Sequence, residues 1–441
     1  MVICSTDGIN VMKKNVVVGL VGMGVVGGGV ARVIYEKSAQ LENLVGKPIL
    51  LKKILVRDKS KTRSFSVPSN IFVDDINDII DDQEIDVVVE LVGGDIPAFP
   101  FIMSAIDKGK HVVTANKEVI AKHGTEIFTA ARKNGVRVLF EASVGGGIPV
   151  ISPLMRDLVA NDTETITAII NGTTNYILTK MANENVDYQT ALQGAMDLGY
   201  AESDPTNDVE GIDSAYKLAI LSTLSFRTQI SDDDVFREGI TKLSPSDFKY
   251  ARELGYEIKL LAISTLNGGL IQARVHPCLI PVDRMLANVN GVSNAIEIET
   301  DLTDKVIFHG PGAGAGPTSS AVVADLVNIG RHVVHNVPFI DPVTISNNFG
   351  VSKINNLVSK YYLRLKAEDR PGVLAQIGSV FADHEISISS FIQKGSDHVT
   401  NTAELIIMTH LAKEDRLQQT LESLFSLRPI KNVCNVIRVT D

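Results

Sequence analysis

Short apolar runs alternate with helical patterns along the first third of the chain. NVVVGL (15–20), ILLKKILV (49–56), IDVVVEL (85–91) and KHVVTA (110–115) are rich in β-branched residues, too short for helices and bounded by turn formers, so they predict buried strands. Helical patterns fall between them, from about Gly27 to Tyr35 and near Pro97–Asp107. Strands alternating with helices predict a parallel, doubly wound α/β sheet. After Glu141 the pattern changes: helices dominate 148–160 and 173–225, and residues 258–280 predict two strands joined by the Asn267-Gly268-Gly269 turn. That is an α+β domain. A strand then leads into HGPGAGAGPTSSAVVADLVNIG (309–330), a glycine-rich loop opening a helix that returns the chain to the first domain. Residues 331–360 lack strong periodicity and predict a connector. The last segment has a strand (361–367), a helix (372–383), two strands (386–393, 402–409), a helix (413–424) and a strand (431–438). This βαββαβ order is a ferredoxin-like unit.

The expected limits are therefore an N-terminal extension over 1–14, a first domain over 15–146 completed by about 305–330, a second over 147–304, the connector, and a third domain over 361–441. The 441 residues exceed what one hydrophobic core covers, and 44% hydrophobic residues give each domain a core. A formal net charge of −10 gives no general field for nucleic acid. Three scattered cysteines, Cys4, Cys278 and Cys434, fit a reducing compartment, and a cytoplasmic location follows. Lys13-Lys14 before NVVVGLVGMGVVGGGVA resembles the start of a signal peptide or a short span. Six glycines between Gly19 and Gly29 argue against both, and neither export nor a membrane partner is expected.

Within GLVGMGVVGGGV, Gly22, Gly24 and Gly27 have G-x-G-x-x-G spacing after a strand and before a helix. The first glycine permits a tight turn, the second lets the backbone approach a pyrophosphate, and the third lets helix and strand pack closely. This predicts a Rossmann-type dinucleotide site. At the end of the second strand Arg57 and Lys59 flank Asp58. Arg57 suits a 2′-phosphate, which favours NADP(H), while Asp58 turned inward would suit NAD(H).

Residues 198–217, LGYAESDPTNDVEGIDSAYK, crowd five carboxylates into a turn-rich loop ahead of a helix. Asp213 and Lys217 are four apart and share one helix face. Acids facing a cleft would bind an ammonium group while a lysine supplies a proton or positive charge. The stretch resembles the signature of the homoserine dehydrogenases at Ala195, Gly199, Asp204-Pro205, Asp208-Val209, Gly211, Asp213 and Lys217, without a departure. The resemblance continues at TANKE (114–118), EASVGGGIP (141–149), NGTTNYIL (171–178) and GPGAGAGPTSSAVVAD (310–325), and covers about residues 15–330.

The resemblance implies reduction of L-aspartate 4-semialdehyde to L-homoserine by NAD(P)H, on the route to threonine and methionine. It assigns Lys217 as proton donor beside the reacting carbonyl, Asp213 as the residue orienting it, and Lys117 as a second lysine near substrate or cofactor. Glu202 and Asp208 would grip the substrate, with Gly172, Thr173 and Tyr200 lining the pocket; Asp204, before a proline, forms a turn. Further cofactor contacts would fall at Val25, Val26, Thr114, Ala115 and Gly316. In EASVGGGIP, a carboxylate and a run of exposed carbonyls suit a hard cation, and the resemblance implies Na+ or K+ at Glu141 and the carbonyls of Val144, Gly146 and Ile148. Gly146 stands where some relatives have alanine. His332 and His335 lack further ligands for a transition metal, and Cys278 lacks the surroundings of a nucleophile.

Residues 361–393 resemble an ACT domain, whose first loop is Asp369-Arg370-Pro371-Gly372-Val373-Leu374. Such modules bind amino acids at dimer interfaces, which implies threonine as effector and a homodimer or homotetramer. The competing readings are a non-catalytic amino-acid sensor and an NAD(P)-linked reductase of another amino-acid aldehyde.

Overall fold

The computed structural model describes residues 14–335, 345–397 and 401–440. The expected extension over 1–14 lies, apart from Lys14, outside the described residues, as do Cys4 and positions 336–344 of the expected connector. The described residues divide into two compact units, one over residues 14–157 and 313–335 and the other over 158–312, 345–397 and 401–440.

The first unit is built on six parallel strands, β1 (Val16–Val21), β2 (Ile49–Leu55), β3 (Phe72–Val73), β4 (Val87–Glu90), β5 (His111–Thr114) and β6 (Val138–Leu139), in the order β3-β2-β1-β4-β5-β6. All four residues of β4 are buried, as expected where helices cover both faces of a parallel sheet. Those helices are α1 (Val25–Glu36), α2 (Ser38–Val45), α3 (Asn77–Ile80), α4 (Ala98–Asp107), α5 (Lys117–Asn134), α6 (Ile151–Arg156) and α12 (Ala315–His335). Strand order reverses between β1 and β4, and a crevice outside the carboxyl ends of the strands at such a point is where open α/β sheets take ligands. Helix α12 runs five residues into the expected connector, because Val333 and Val334 pack on the core formed by Val16, Val45 and Leu326 and hold the last turn in place. The helical stretch expected over 148–160 shrinks to α6, where Pro149 and the glycines before it keep the chain irregular.

The second unit contains the helices α7 (Gly172–Glu184), α8 (Tyr188–Asp197), α9 (Thr206–Val209), α10 (Ile212–Phe226) and α11 (Pro245–Glu253), and α13 (Val373–Asp383) and α14 (Glu414–Ser426) near its end. Its strands are β7 (Thr163–Ile169), β8 (Val235–Arg237), β9 (Tyr256–Asn267), β10 (Leu270–Pro281), β11 (Ser293–Thr300), β12 (Asp304–Pro311), β13 (Gly350–Val351), β14 (Val358–Glu368), β15 (Ile388–Asp397), β16 (Thr402–Thr409), β17 (Ala412–Lys413) and β18 (Ile430–Val439). The main path is β12-β11-β7-β9-β10-β18-β14-β16-β15. The β9–β10 hairpin turns at Gly268 and Gly269, both with positive φ, which a two-residue hairpin turn needs. The ferredoxin-like order is present as β14-α13-β15-β16-α14-β18, around a core of Tyr361, Leu363, Ile377, Phe381, Ile407 and Leu417. Its sheet continues into the middle one through two parallel pairs, Cys278 with Arg438 and Leu279 with Val439. No helix among the described residues is long and apolar enough to cross a membrane.

Candidate active site

The turn between β1 and α1 gives each glycine of the dinucleotide pattern a separate reason. Gly22 has φ +98°, and a Cβ there would lie 2.9 Å from the Leu91 carbonyl oxygen. At Gly27 a Cβ would meet the Gly22 carbonyl oxygen at 2.2 Å, so no side chain fits. Gly24 faces open space, with nothing within 4 Å of where a Cβ would be. It is the N-cap of α1 and offers no side chain to the first-turn N–H groups of Val25 and Val26, which leaves them for an anion at the positive end of the helix.

Past β2, Asp58 folds back on its own turn, accepting from the Ser60 N–H at 2.8 Å and the Ser60 hydroxyl at 2.6 Å. These bonds from Ser60 lower its pKa. Lys59 pairs with Asp74 at 3.0 Å, both exposed. Among the described residues nothing pairs with Arg57. Beyond β5, Asn116 caps α5, accepting from the Val119 N–H at 3.2 Å, so Thr114, Ala115 and Lys117 fall where strand passes into helix. Gly316 lies in the first turn of α12 and, like Gly24, faces open space.

In the second unit the acidic stretch is drawn together around α10. Gly211 starts it at φ +76°, and Asp213 and Lys217 lie on its buried face, with side chains 6% and 11% exposed. The Lys217 Nζ donates to Asp213 Oδ2 at 2.6 Å and to the Ile170 carbonyl at 2.8 Å. Asn171, which the sequence did not single out, ties the group together: its Nδ2 donates to Asp208 Oδ1 at 2.6 Å and to Asp213 Oδ2 at 2.9 Å. Its Oδ1 accepts from the Thr174 N–H at 2.9 Å and so caps α7. Its signal was an asparagine directly ahead of a helical pattern, which by itself predicts only a cap.

Thr173 donates from Oγ1 to the Tyr200 carbonyl at 2.7 Å, and the Tyr200 ring packs 5.1 Å from that of Tyr176. Gly172 has to be glycine, since a Cβ would lie 2.9 Å from the Val292 carbonyl oxygen. Asp204 accepts from the Thr206 N–H and hydroxyl at 3.1 and 2.6 Å, which makes it a turn residue. Glu202 is exposed on the same loop and has no partner among the described residues.

Such an arrangement is chemically able to deliver a proton beside acids that suit an ammonium group, in a chain whose other unit has a dinucleotide turn. Residues 22–141 match the family model described as homoserine dehydrogenase, NAD binding domain, and residues 149–327 match that of homoserine dehydrogenase. A homoserine dehydrogenase of Neisseria gonorrhoeae is 41% identical over 97% of this chain and 99% of its own. The chain belongs to the homoserine dehydrogenase family. It is an NAD(P)-dependent oxidoreductase. Residues 361–429 match the ACT domain. A solved homoserine dehydrogenase from Thiobacillus denitrificans superposes with a TM-score of 0.91 at 41% identity, covering 97% of this chain and 99% of that one. A hyperthermophilic archaeal homoserine dehydrogenase in complex with NADPH gives a TM-score of 0.62 at 26% identity, covering 74% and 100%.

In EASVGGGIP (141–149) Glu141 is buried and committed to the backbone. Its Oε1 accepts from the N–H groups of Val150 and Ile151 at 2.7 and 2.8 Å, and its Oε2 from Ser152 at 2.7 Å. The Glu141 N–H donates to Asp325 Oδ2 at 2.9 Å, and burial together with the Glu141 charge pushes the Asp325 carboxyl well up. Neither acid makes an ion pair among the described residues, and the buried Ser143 hydroxyl has no partner there. Gly145 and Gly146 have φ of +71° and +54°, so the loop is coiled tightly between Val144 and Ile148. No group of three or more His, Cys, Asp or Glu among the described residues is set to hold a metal. Cys278 is fully buried with its thiol pushed up to about 12 by burial, and His332 packs edge-on against His111 at 5.4 Å.

Proposed function

We propose that the chain reduces L-aspartate 4-semialdehyde to L-homoserine, reversibly, with Lys217 as the proton donor. The observation that carries this is the chain from half-buried Asp208 through buried Asn171 and Asp213 to Lys217, in which every bond is 2.6 to 2.9 Å. The cofactor supplies a hydride to the aldehyde carbon. Alkoxide character then develops on the oxygen, and the Lys217 ammonium stabilises and neutralises it. Asp213 and the Ile170 carbonyl both accept from the ammonium and so orient it. Asp208 and Glu202 take the substrate's ammonium end, Gly172, Thr173 and Tyr200 line the pocket, and Lys117 carries positive charge to substrate or cofactor.

Arg57, without a partner among the described residues and beside an Asp58 turned into its own loop, supports NADP(H) as the preferred cofactor, with NAD(H) accepted. The archaeal relative bound to NADPH points the same way. A monovalent cation fits EASVGGGIP: two buried acids that make no ion pair among the described residues, a buried hydroxyl without a partner there and the carbonyls of Val144, Gly146 and Ile148 form a set of hard oxygens. Glu141 would hold it with those carbonyls. The ACT domain suggests an amino-acid effector, and threonine, end product of the route this reaction serves, is our choice for it; a cytoplasmic homodimer or homotetramer completes the proposal. The domain limits proposed are 15–146 with about 305–330, 147–304 and 361–441.

The test is oxidation of NADPH, then NADH, with L-aspartate 4-semialdehyde, for wild type and Lys217→Ala, with and without threonine. We expect a fast wild-type rate that falls by at least ~100-fold in the variant, as general acids contribute about that much or more. A wild type inactive with both cofactors overturns the proposal.

A further inference from the structure

At the carboxyl end of β4 stands a carboxylate to which neither the sequence nor the proposed reaction gives a role. Glu90 is wholly buried, and among the described residues no cationic side chain pairs with it. Its Oε1 accepts from the N–H groups of Val92 and Gly93 at 2.7 and 3.4 Å, in the loop after β4. Its Oε2 accepts from the Thr114 hydroxyl at 2.7 Å, at the end of β5, directly across the ladder. The chain of bonds runs on from there. Thr114 Oγ1 accepts from the Asn116 N–H at 2.9 Å, and Asn116 returns to the first loop by donating from Nδ2 to the Gly94 carbonyl at 2.7 Å. One acid and one amide thus lace two loops together. Only an acceptor-only group takes donors from both sides, because an amide would present its NH2 to one of them. Burial pushes the Glu90 carboxyl up while these hydrogen bonds pull it down.

The place of the lacing in the sheet says what it serves. A dinucleotide laid across the switch between β1 and β4 puts its pyrophosphate at α1 and its adenosine half beside the end of β2, where Arg57 stands. Its nicotinamide half then falls beside β4 and β5. The loop after β4 also borders the dinucleotide turn itself, since Gly22 backs onto the Leu91 carbonyl, and Gly93 and Gly94, at φ +71° and +72°, face open space.

We propose that Glu90 is a positioning residue for the nicotinamide half of the cofactor, joining the loops after β4 and β5 into one rigid wall. This rests on the dinucleotide reading of Gly22–Gly27. Glu90→Gln tests it in equilibrium binding of two probes to the full chain: NADPH, and 2′-phospho-ADP-ribose, which lacks nicotinamide. We expect the variant to bind NADPH about tenfold more weakly, the worth of one charged hydrogen bond, with the second probe unchanged. Equal weakening of both probes, or of neither, overturns the proposal and leaves Glu90 a purely structural acid. If Glu90→Gln does not fold, Asn116→Ser keeps a cap on α5 but gives up the bond to the Gly94 carbonyl, and the same selective loss is expected. A wild type that binds neither probe defeats the dinucleotide reading instead.

Discussion

Lys259 shows how much a single side chain can reveal about its surroundings. It is buried, and its Nζ donates to the Val289 carbonyl at 2.7 Å and to Asn290 Oδ1 at 2.9 Å. Asn175, on α7, reaches the same Val289 carbonyl and that of Ser293, both at 3.1 Å, so the lysine anchors the loop against which Gly172 packs. Burial lowers its pKa from 10.5 to about 8. Below pH 8 both folded and unfolded chains carry the proton, and the folded chain bears the full cost of a buried charge. Between 8 and 10.5 the unfolded chain holds more protons, so this cost fades as pH rises. In urea unfolding, wild type should therefore gain stability relative to Lys259→Met between pH 7.5 and 10, by up to roughly 3 kcal/mol. A difference that stays flat with pH would mean that the ammonium is better solvated than its burial implies. Residues of this kind were hard to find in the sequence. Asp213 and Lys217 were legible from their spacing, but Asn171, Glu90 and Lys259 act through folds of the chain that bring distant loops to them, and each looks alone like an ordinary cap or strand residue.

Elements carry their own test at α6. Three successive N–H groups at its start end on Glu141, so the carboxylate replaces the cap that the sequence does not otherwise provide. Glu141→Ala should lower stability by about 2 kcal/mol or more, read by thermal unfolding, because it strands buried donors. It should also abolish any rise in melting temperature on adding Na+ or K+; a rise that survives would place the cation elsewhere. In the first unit, strands and helices were readable because β-branched runs end cleanly at glycines and charged turns. The second unit was read less completely. β7 and β11 escaped since most of their residues are buried on both faces, which removes the alternation that marks a half-buried strand. β11 also carries Glu297, buried and paired with Arg284 at 2.8 Å and Lys305 at 3.1 Å, an acid that in sequence suggests a surface loop.

Across the second unit, the ACT domain and the middle sheet share buried ionic groups as well as strands. Asp247, wholly buried at the start of α11, receives Arg364 Nε at 2.7 Å and Asn435 Nδ2 at 2.9 Å. Arg438 donates to Glu414 at 2.9 and 2.6 Å and to Glu238, beside β8, at 2.8 Å. Arg364→Leu should therefore cost about 3–5 kcal/mol in chemical denaturation, because it leaves the Asp247 charge buried and unpaired. Adding Asp247→Asn should recover a good part of that loss. Equal stability of the single and double variants would show that the buried Asp247 charge is not the source of the loss. The βαββαβ order itself was legible from the last eighty residues, whereas this joint was not, since charged residues on a strand look like its solvent face. The shared sheet has a consequence for dissection. A domain whose strand β18 and whose Arg364, Asn435 and Arg438 are completed by its neighbour is no detachable cassette in this chain: cutting it away would bare the edge of β10 and take from Asp247 and Glu238 the donors that now meet them.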